Sequence, residues 1–561
     1  MSNKKKLKIL KWDTTVQKEL FPKILKKIYY NNYLNQRKAY CNWLGRISKK
    51  HSQDIDWWVS SPISRNIYSS NLYKYICILE TLEYLAKSKN NLIEITTDSA
   101  ELRSIIFSKF PRNKIKVILI KLEKNNYKLF SFYHNFKTSF FFLFQFILIK
   151  LFSKKLTKLN KEISIIDTFI LEEKLKDKLY YGNLSKYFNK TKKTTFFIPT
   201  IIESSIYKFL KIFLSLNRDK KYFFKENFTN LIDVFYCIFY LFRKKKFLKK
   251  YDNYKKFDLS LLIQLEILHN RDILTVFLSL HNYCFAKKLK LKLKSIKIRK
   301  VVNWFENQSL DKGWNYGFRK FFPKSKTIGY QGFTPQPEYM NSLPTDYEKK
   351  YKVIPEKIIS IGRNFVNSKK EFCKDLDIIQ GPALRFNDLF DLPFHEKKLY
   401  TIVLFLEGAS KENDKNLILK FINISKKFNN IKFYVKTHPS LSLKELKITL
   451  PKNLIELKKK FSYIASRTYI AISYGNTSAT IESLAYGCKL IVPIDNSFDR
   501  RNLKNLKIPT HLYKVCNNQK DIYNSISYFL SKKNNKSKYN GLVIRKKLFN
   551  KTTSKNVKIL I

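Results

Sequence analysis

The stretch from Ile431 to Pro493 gathers residues whose types and spacing suit the handling of an anion. It opens IKFYVKTHPS, which puts Thr437-His438-Pro439 directly behind a short apolar run. It closes SYGNTSATIESLAYGCKLIVP, which puts Asn476-Thr477-Ser478 behind another. Asn, Thr and Ser ahead of an apolar-periodic segment mark a helix start, and Gly487 marks its end. The first turn of such a helix offers unpaired N–H groups and the positive end of its dipole, so a phosphate there is held by backbone and hydroxyls together. Glu482 stands one turn in from Ser478 and can reach hydroxyls on whatever the phosphate carries. Its duller alternative is a surface carboxylate.

Other residues extend this chemistry. WFENQSLDKGW sets Glu306 at the end of an apolar run, where a carboxylate can act as a base; a helix cap is the competing reading. Arg363 and Arg385 each follow a short apolar run, and an arginine at a strand exit can fork onto phosphate. Glu407-Gly408 follows a third run.

These residues need strands to carry them. The runs Ile431–Val435, Tyr469–Ile472 and Lys489–Val492 are apolar but for Lys432 and Lys489, and they read as buried parallel strands. Ligands of open α/β sheets bind at the carboxyl ends of such strands. Further strands are expected at 92–97, 116–120, 163–170, 195–202, 300–308, 326–333, 358–362, 377–381 and 399–406, with 55–60 as the first of the chain and 1–50 helical. The βαβ rhythm predicts α/β architecture in two Rossmann-like domains. Pro335, Pro337, Pro344 and Pro355 make 335–357 the expected linker between an N-terminal acceptor-side domain, 1–334, and a C-terminal donor domain, 358–531. A basic tail, 532–561, is partly disordered or crosses back. Of 12 glycines only Gly45 and Gly182 precede residue 300, so special backbone gathers in the second half.

Within the first domain the rhythm breaks at insertions covering about 121–162 and 204–255. SFFFLFQFILIKLF (139–152) and LIDVFYCIFYLF (231–242) are very apolar, and the second runs into RKKKFLKK. Both fit either interfacial helices on anionic lipid or buried helices of a large domain. Neither run reaches the ~20 residues that a bilayer crossing needs.

A chain of 561 residues with 44% hydrophobic content folds, and its length exceeds one core. The formal net charge of +65 raises nucleic acid as a partner. Lysine, however, is spread through the whole chain and no nucleic-acid-binding motif is present, so no nucleic acid is expected. Seven cysteines lack metal or disulfide spacing, and no metal is expected. MSNKKKLKILKWDTT has charge but no apolar core, so the expectation is no signal peptide and a cytoplasmic location, peripheral at the inner membrane if the apolar helices face it.

KTHPS with SYGNTSATIESLAYG resembles the His-Pro and Ser/Thr signatures of bacterial capsule enzymes. These are the CMP-dependent sialyl-, polysialyl- and Kdo transferases and, more distantly, the CDP-glycerol glycerophosphotransferases. WFENQSLDKGW, KTIGYQGF and GPALRF are similar to the narrower bacterial surface carbohydrate biosynthesis family, over most of the second half of the chain. The resemblance implies a GT-B fold, its two domains facing across a cleft, and a metal-independent, cofactor-free glycosyltransferase. It would carry a sugar from a nucleotide-activated, CMP-type donor to a lipid-linked or polysaccharide acceptor. In that reading His438 and Glu306 are catalytic. Arg363, Arg385, Glu407, Gly408, His438, Pro439, Asn476, Thr477, Ser478 and Glu482 hold the donor. LEG at 406–408 departs from the acidic-acidic-Gly pattern at Leu406, and it opens the second domain, so the base role does not pass to Glu407. Competing readings are a UDP-GlcNAc 2-epimerase-like nucleotide-sugar enzyme, a CDP-glycerol glycerophosphotransferase and a non-catalytic membrane-associated scaffold.

Overall fold

The structure, a computed structural model, describes residues 8–561 except 16–20, 68, 88–90, 121–123, 155–160, 174–175, 191–193, 203–204, 270–271, 294–295, 335–338, 392–400, 409–410, 429, 439–440, 475–476, 494–502 and 533–536. Three parallel sheets carry the chain. A small one joins β1 (Lys8–Asp13), β2 (Asn91–Thr97) and β3 (Ile115–Leu119) in that order. A six-stranded sheet follows, ordered β5-β4-β6-β7-β8-β9. Its strands are β4 (Glu162–Ile170), β5 (Thr194–Ile201), β6 (Lys297–Trp304), β7 (Lys326–Gln331), β8 (Lys357–Ser360) and β9 (Ile378–Gln380). The second six-stranded sheet is ordered β12-β11-β10-β13-β14-β15. It contains β10 (Thr401–Phe405), β11 (Lys432–Lys436), β12 (Leu454–Glu456), β13 (Thr468–Ile472), β14 (Lys489–Pro493) and β15 (Tyr513–Cys516). Every residue of β10, β13 and β14 is buried, as unbroken apolar runs require when helices cover both faces. Two Rossmann-like sheets with helical insertions in the first are the expected α/β, GT-B outline.

The domain boundary lies elsewhere than expected. β8 pairs with β7, and β9 with β8, so both strands belong to the N-terminal sheet. The chain passes to the second sheet between β9 and β10. The proline-rich stretch is a crossover inside the first domain, and its helix Asp346–Lys350 is capped by Thr345. Prolines signal a loop but do not say which domains the loop joins.

Two smaller corrections share one cause. IDWWVS is not a strand: Asp54 accepts from the Asp56 N–H at 3.0 Å and starts the helix Ile55–Trp58, buried throughout. The first 50 residues are not wholly helical, since β1 pairs with β2. β2 and β3 likewise build the separate small sheet instead of extending the main one. For short aromatic or β-branched runs, partners and caps decide the outcome over intrinsic preference. In the insertions, 139–152 is the end of a 29-residue helix, Lys124–Phe152, and 204–255 holds the helices Ile206–Asn217, Leu231–Ile238 and Tyr240–Arg243.

One buried cluster ties the first domain together. Arg65, at φ 54°, donates to Glu348 at 2.8 Å and to the Met340 and Leu343 carbonyls at 2.8 and 2.9 Å. Lys312 donates to the other Glu348 oxygen at 2.6 Å and to Asn307 Oδ1 at 2.5 Å. All three charged side chains are wholly buried. Burial alone would raise the Glu348 carboxyl, but Arg65 and then Lys312 reverse this and hold it at about 2. Glu348→Gln should leave one buried cation poorly matched. We expect a loss of about 3–5 kcal/mol, the cost of breaking a buried pair, measured by urea unfolding. A loss under about 1 kcal/mol would mean that the cluster is not a structural anchor.

Candidate functional site

β11, β10 and β13 are neighbours and parallel, so their carboxyl ends open on one edge. His438 leaves β11, Glu407-Gly408 leaves β10, and Ser473 to Ser478 leave β13. Gly408 has φ +71°, and a Cβ there would lie 2.6 Å from the His438 ring. The glycine thus lets the imidazole lie directly on the β10 turn. Asp414 shapes that turn, accepting the Glu407 and Gly408 N–H groups at 3.2 and 2.8 Å. Those two N–H groups are therefore spent on the turn and do not point at a ligand. His438 is exposed at this edge, and the partial desolvation of its ring lowers its pKa, which favours the neutral imidazole.

The helix Ser478–Ala485 begins at Thr477, whose backbone is extended at φ −110° and ψ 153°. Thr477 Oγ1 lies 2.7 Å from Ser473 Oγ and 3.2 Å from Thr480 Oγ1, and Thr480 Oγ1 donates to the Tyr474 carbonyl at 2.6 Å. Hydroxyls therefore hold the turn from below. The helix ends at Gly487, φ +75°, with the Gly487 and Cys488 N–H groups returning to the Leu484 and Ser483 carbonyls. Pro439 and Asn476 lie outside the described residues.

The first domain presents the facing edge. Thr334, just beyond β7, meets Ser478 across the domains, Oγ1 to Oγ at 3.2 Å. Glu306 follows β6 and is half-buried. One carboxylate oxygen accepts from Trp304 Nε1 at 2.7 Å, the other from Gln308 Nε2 at 2.5 Å. Each oxygen keeps a lone pair for a further proton or donor. Asp311 fixes the turn by accepting the Glu306 and Gln308 N–H groups at 3.2 and 2.9 Å. Asn307, between them at φ 58°, is rooted in Glu348.

Arg385 belongs to the first domain, contrary to its expected donor-domain place. Its guanidinium lies 5.6 Å over the Trp304 ring. Tyr330 sets its loop, donating to the Pro382 carbonyl at 2.8 Å and accepting the Leu384 N–H at 3.0 Å. Arg385 also acts on the second domain: burial pushes the Glu482 carboxyl up to about 7, against the opposing pull of Arg385. Glu482 is half-buried and within the electrostatic reach of Arg385, so it is not a plain surface carboxylate. Arg363 is a first-domain residue as well. It is exposed, the neighbouring Gly362 packs on the Leu548 carbonyl, and no contact joins Arg363 to this cleft among the described residues. Asp56, another first-domain carboxylate, is held by Arg243 at 2.8 and 2.9 Å and by Lys246 at 3.0 Å. That pairing removes it from consideration.

Sequence reasoning missed Thr334, Tyr180 and Asp388. Tyr180 stacks edge-on to Trp304 at 4.9 Å, and Asp388 accepts from Ser462 of the second domain at 3.2 Å. Thr334 follows KTIGYQGF, and Asp388 lies just beyond GPALRF, so the quoted motifs were their only signal.

No protein-family model matches the chain, and no curated protein matches it. Among solved structures it is similar in outline to the UDP-GlcNAc 2-epimerase from Neisseria meningitidis bound to UDP-GlcNAc, at 14% identity and TM-score 0.40, covering 72% of this chain and 98% of that one. It is also similar to Acinetobacter baumannii MurG, at 10% identity and TM-score 0.37, covering 72% and 99%. A third likeness is to S. aureus MnaA with UDP, at 12% identity and TM-score 0.41, covering 72% and 98%. At these scores the likenesses are of outline, and the chemistry rests on the residues themselves.

Gly408→Ala should cost about 1 kcal/mol or more through its left-handed backbone and push the His438 ring off the turn. Its imidazole would become better hydrated, and its pKa should move up toward the ordinary histidine range. NMR titration of the ring protons, assigned with a His438→Gln variant, checks this. An unmoved titration would show that Gly408 does not seat the ring.

Proposed function

We propose that the chain is a glycosyltransferase of bacterial surface-carbohydrate type. It would transfer a sugar from a nucleotide-activated donor, CMP-linked as the motif resemblance implies, to a lipid-linked or polysaccharide acceptor held near the membrane. One observation carries the reading. The carboxyl edges of the two sheets meet at Thr334–Ser478, with His438 and a hydroxyl-lined helix start on one side and Glu306 on the other.

The roles follow from where charge moves. The acceptor hydroxyl gives its proton to the Glu306 carboxylate as its oxygen attacks the anomeric carbon. The bond from that carbon to the leaving phosphate oxygen breaks, and the electron pair stays on the phosphate. Negative charge grows there, and the Ser478 N–H with the dipole of its helix start meets it without reorganisation. The neutral His438 imidazole donates a hydrogen bond that strengthens as the charge develops. Glu482 accepts from ribose hydroxyls, and Arg385 spans from Trp304 toward Glu482, a place from which it can pair with phosphate as the domains close.

These roles separate experimentally. His438→Ala should lower turnover about 10²–10³-fold, the usual loss for one such donor. Glu306→Gln keeps the size and much of the hydrogen bonding, so calorimetry should find nucleotide affinity unchanged while transfer of a radiolabelled sugar to membrane acceptor disappears. Full activity of both variants, or no binding of CMP, CDP or UDP by the native chain, would overturn the reading.

Glu482 adds a pH signature. Its carboxyl stands at about 7 in the folded chain, and ribose hydroxyls donate better to the carboxylate than to the acid. Nucleotide affinity should therefore rise as pH rises through about 7 and fall as pH drops below it. In Glu482→Gln the calorimetric profile should be flatter through that window, and an unchanged profile would remove the ribose role.

A further inference from the structure

The helix Lys124–Phe152 is apolar on two opposite sides, and only one of them is covered. Phe142 packs on Phe277 and His281 at 5.6 and 5.7 Å, and Phe146 and Ile149 are buried on the same side. At 100° per residue, Tyr133, Phe136, Phe140, Ile147 and Leu151 fall within one narrow stripe on the other side. All five are exposed, Phe136 at 63% and Phe140 at 64%. Only 22% of the most apolar stretch, Tyr133–Phe152, is buried. A soluble helix normally puts charge on such a face.

The neighbouring helices continue the exposed surface. Leu231–Ile238 touches the long helix and leaves Ile232 76% exposed. Beyond it Phe235, Phe239 and Phe242 form an outward ladder of rings spaced 6.2 and 6.0 Å. Ile206–Asn217 packs Phe209 beneath Phe141 at 6.5 Å and leaves Tyr207 75% exposed. Solvated monomeric surfaces seldom carry so much contiguous apolar area.

Charge decides what covers it. No Asp or Glu occurs in 124–152 or 206–217, and the single acid of 231–243, Asp233, is buried in a capping box. Lys137, Lys208 and Lys245 are exposed at the fringe. The basic run 243–250 contributes less than its sequence suggests. Arg243 and Lys246 are held by Asp56, and Lys244 donates to the Leu268 carbonyl at 2.8 Å. Apolar rings fringed by lysines, on three helices that expose no acid of their own, match the surface of an anionic bilayer, where rings enter the acyl boundary and amines stay at the headgroups. The long helix cannot cross that bilayer while its other side is packed on the domain. It lies flat.

We propose that the exposed face of Lys124–Phe152, Ile206–Asn217 and Leu231–Ile238 docks the protein on an anionic lipid bilayer. This stands apart from the sugar chemistry and survives if that chemistry fails. The test is cosedimentation of the full chain with phosphatidylcholine vesicles, with and without phosphatidylglycerol, at low and high salt. The native chain should pellet with phosphatidylglycerol-containing vesicles and be released in part by salt. Phe136→Ser/Phe140→Ser/Ile232→Ser/Phe239→Ser should bind about tenfold more weakly or worse. A second variant, Lys137→Glu/Lys208→Glu/Lys245→Glu, should lose the dependence on phosphatidylglycerol, which covers the case in which the first variant misfolds. A native chain left in the supernatant, or variants that bind as it does, would overturn the proposal. So would a native dimer in sedimentation velocity that the Phe/Ile variant converts to monomer, because a second copy would then be the occupant.

Discussion

The first domain depends on one buried carboxylate. Glu348 joins Arg65 from the N-terminal helical region, Lys312 from the helix after β6, and Asn307 from the turn that carries Glu306. Bringing these ions out of water costs several kcal/mol each, and only near-complete hydrogen bonding offsets it. Such a cluster fixes register more than it adds stability. Here the register that matters is the Glu306 turn. Asn307 takes a left-handed backbone at φ 58°, a conformation that a non-glycine residue holds only where the surroundings impose it. With Asn307 pinned below and Asp311 gripping the flanking N–H groups, the backbone that carries the Glu306 carboxylate is fixed at the end of β6.

The second domain reaches the same end by cheaper means. Among the described residues its edge has no buried ion cluster and uses a glycine, three hydroxyls and one buried carboxylate, Asp414. The result is an edge of neutral donors: an uncharged His438, hydroxyls and a helix start. Neutral donors suit a ligand that arrives already charged and gains charge as it reacts. A fixed cation there would hold the ground state as tightly as the transition state.

The sequence carried the second domain well and the first poorly, for physical reasons. The β10, β13 and β14 runs are fully buried, so their composition alone declares them, and Ser478 and Gly487 bracket the helix between β13 and β14 by cap chemistry that needs no tertiary partner. The boundary at 335–357 went astray because proline records a local loss of helix and strand, while domain membership is a matter of pairing between β7, β8 and β9. Arg65 and Asp56 are unreadable for a related reason. Their partners, Glu348 and Arg243, lie 283 and 187 positions away. Glu306 was legible as a strand-end acid, yet the turn that aims it was not, since Asn307 carries no glycine to announce its φ.

The charge surplus also has a structural consequence. With 109 Lys and Arg against 44 Asp and Glu, most cations cannot find a carboxylate, and many end on backbone carbonyls instead. Lys150 donates to the Glu226 and Thr229 carbonyls at 2.8 and 2.7 Å, and Lys436 to that of Leu457 at 3.1 Å. The most consequential case is the C-terminal tail. Arg545 donates to the Ala485 carbonyl at 2.9 Å, a cation at the negative end of the Ser478 helix. The tail then crosses to the first domain. Asn550 bonds the backbone of Ile361 and Ala383 at 2.8 and 2.9 Å, beside the Arg385 loop, and Lys300 closes on the Lys558 and Ile561 carbonyls at 2.5 and 2.6 Å. One strap thus runs from the far end of the phosphate-side helix to the loop that presents Arg385. Bonds that stand in for missing acids therefore also help set the angle at which the two sheet edges meet.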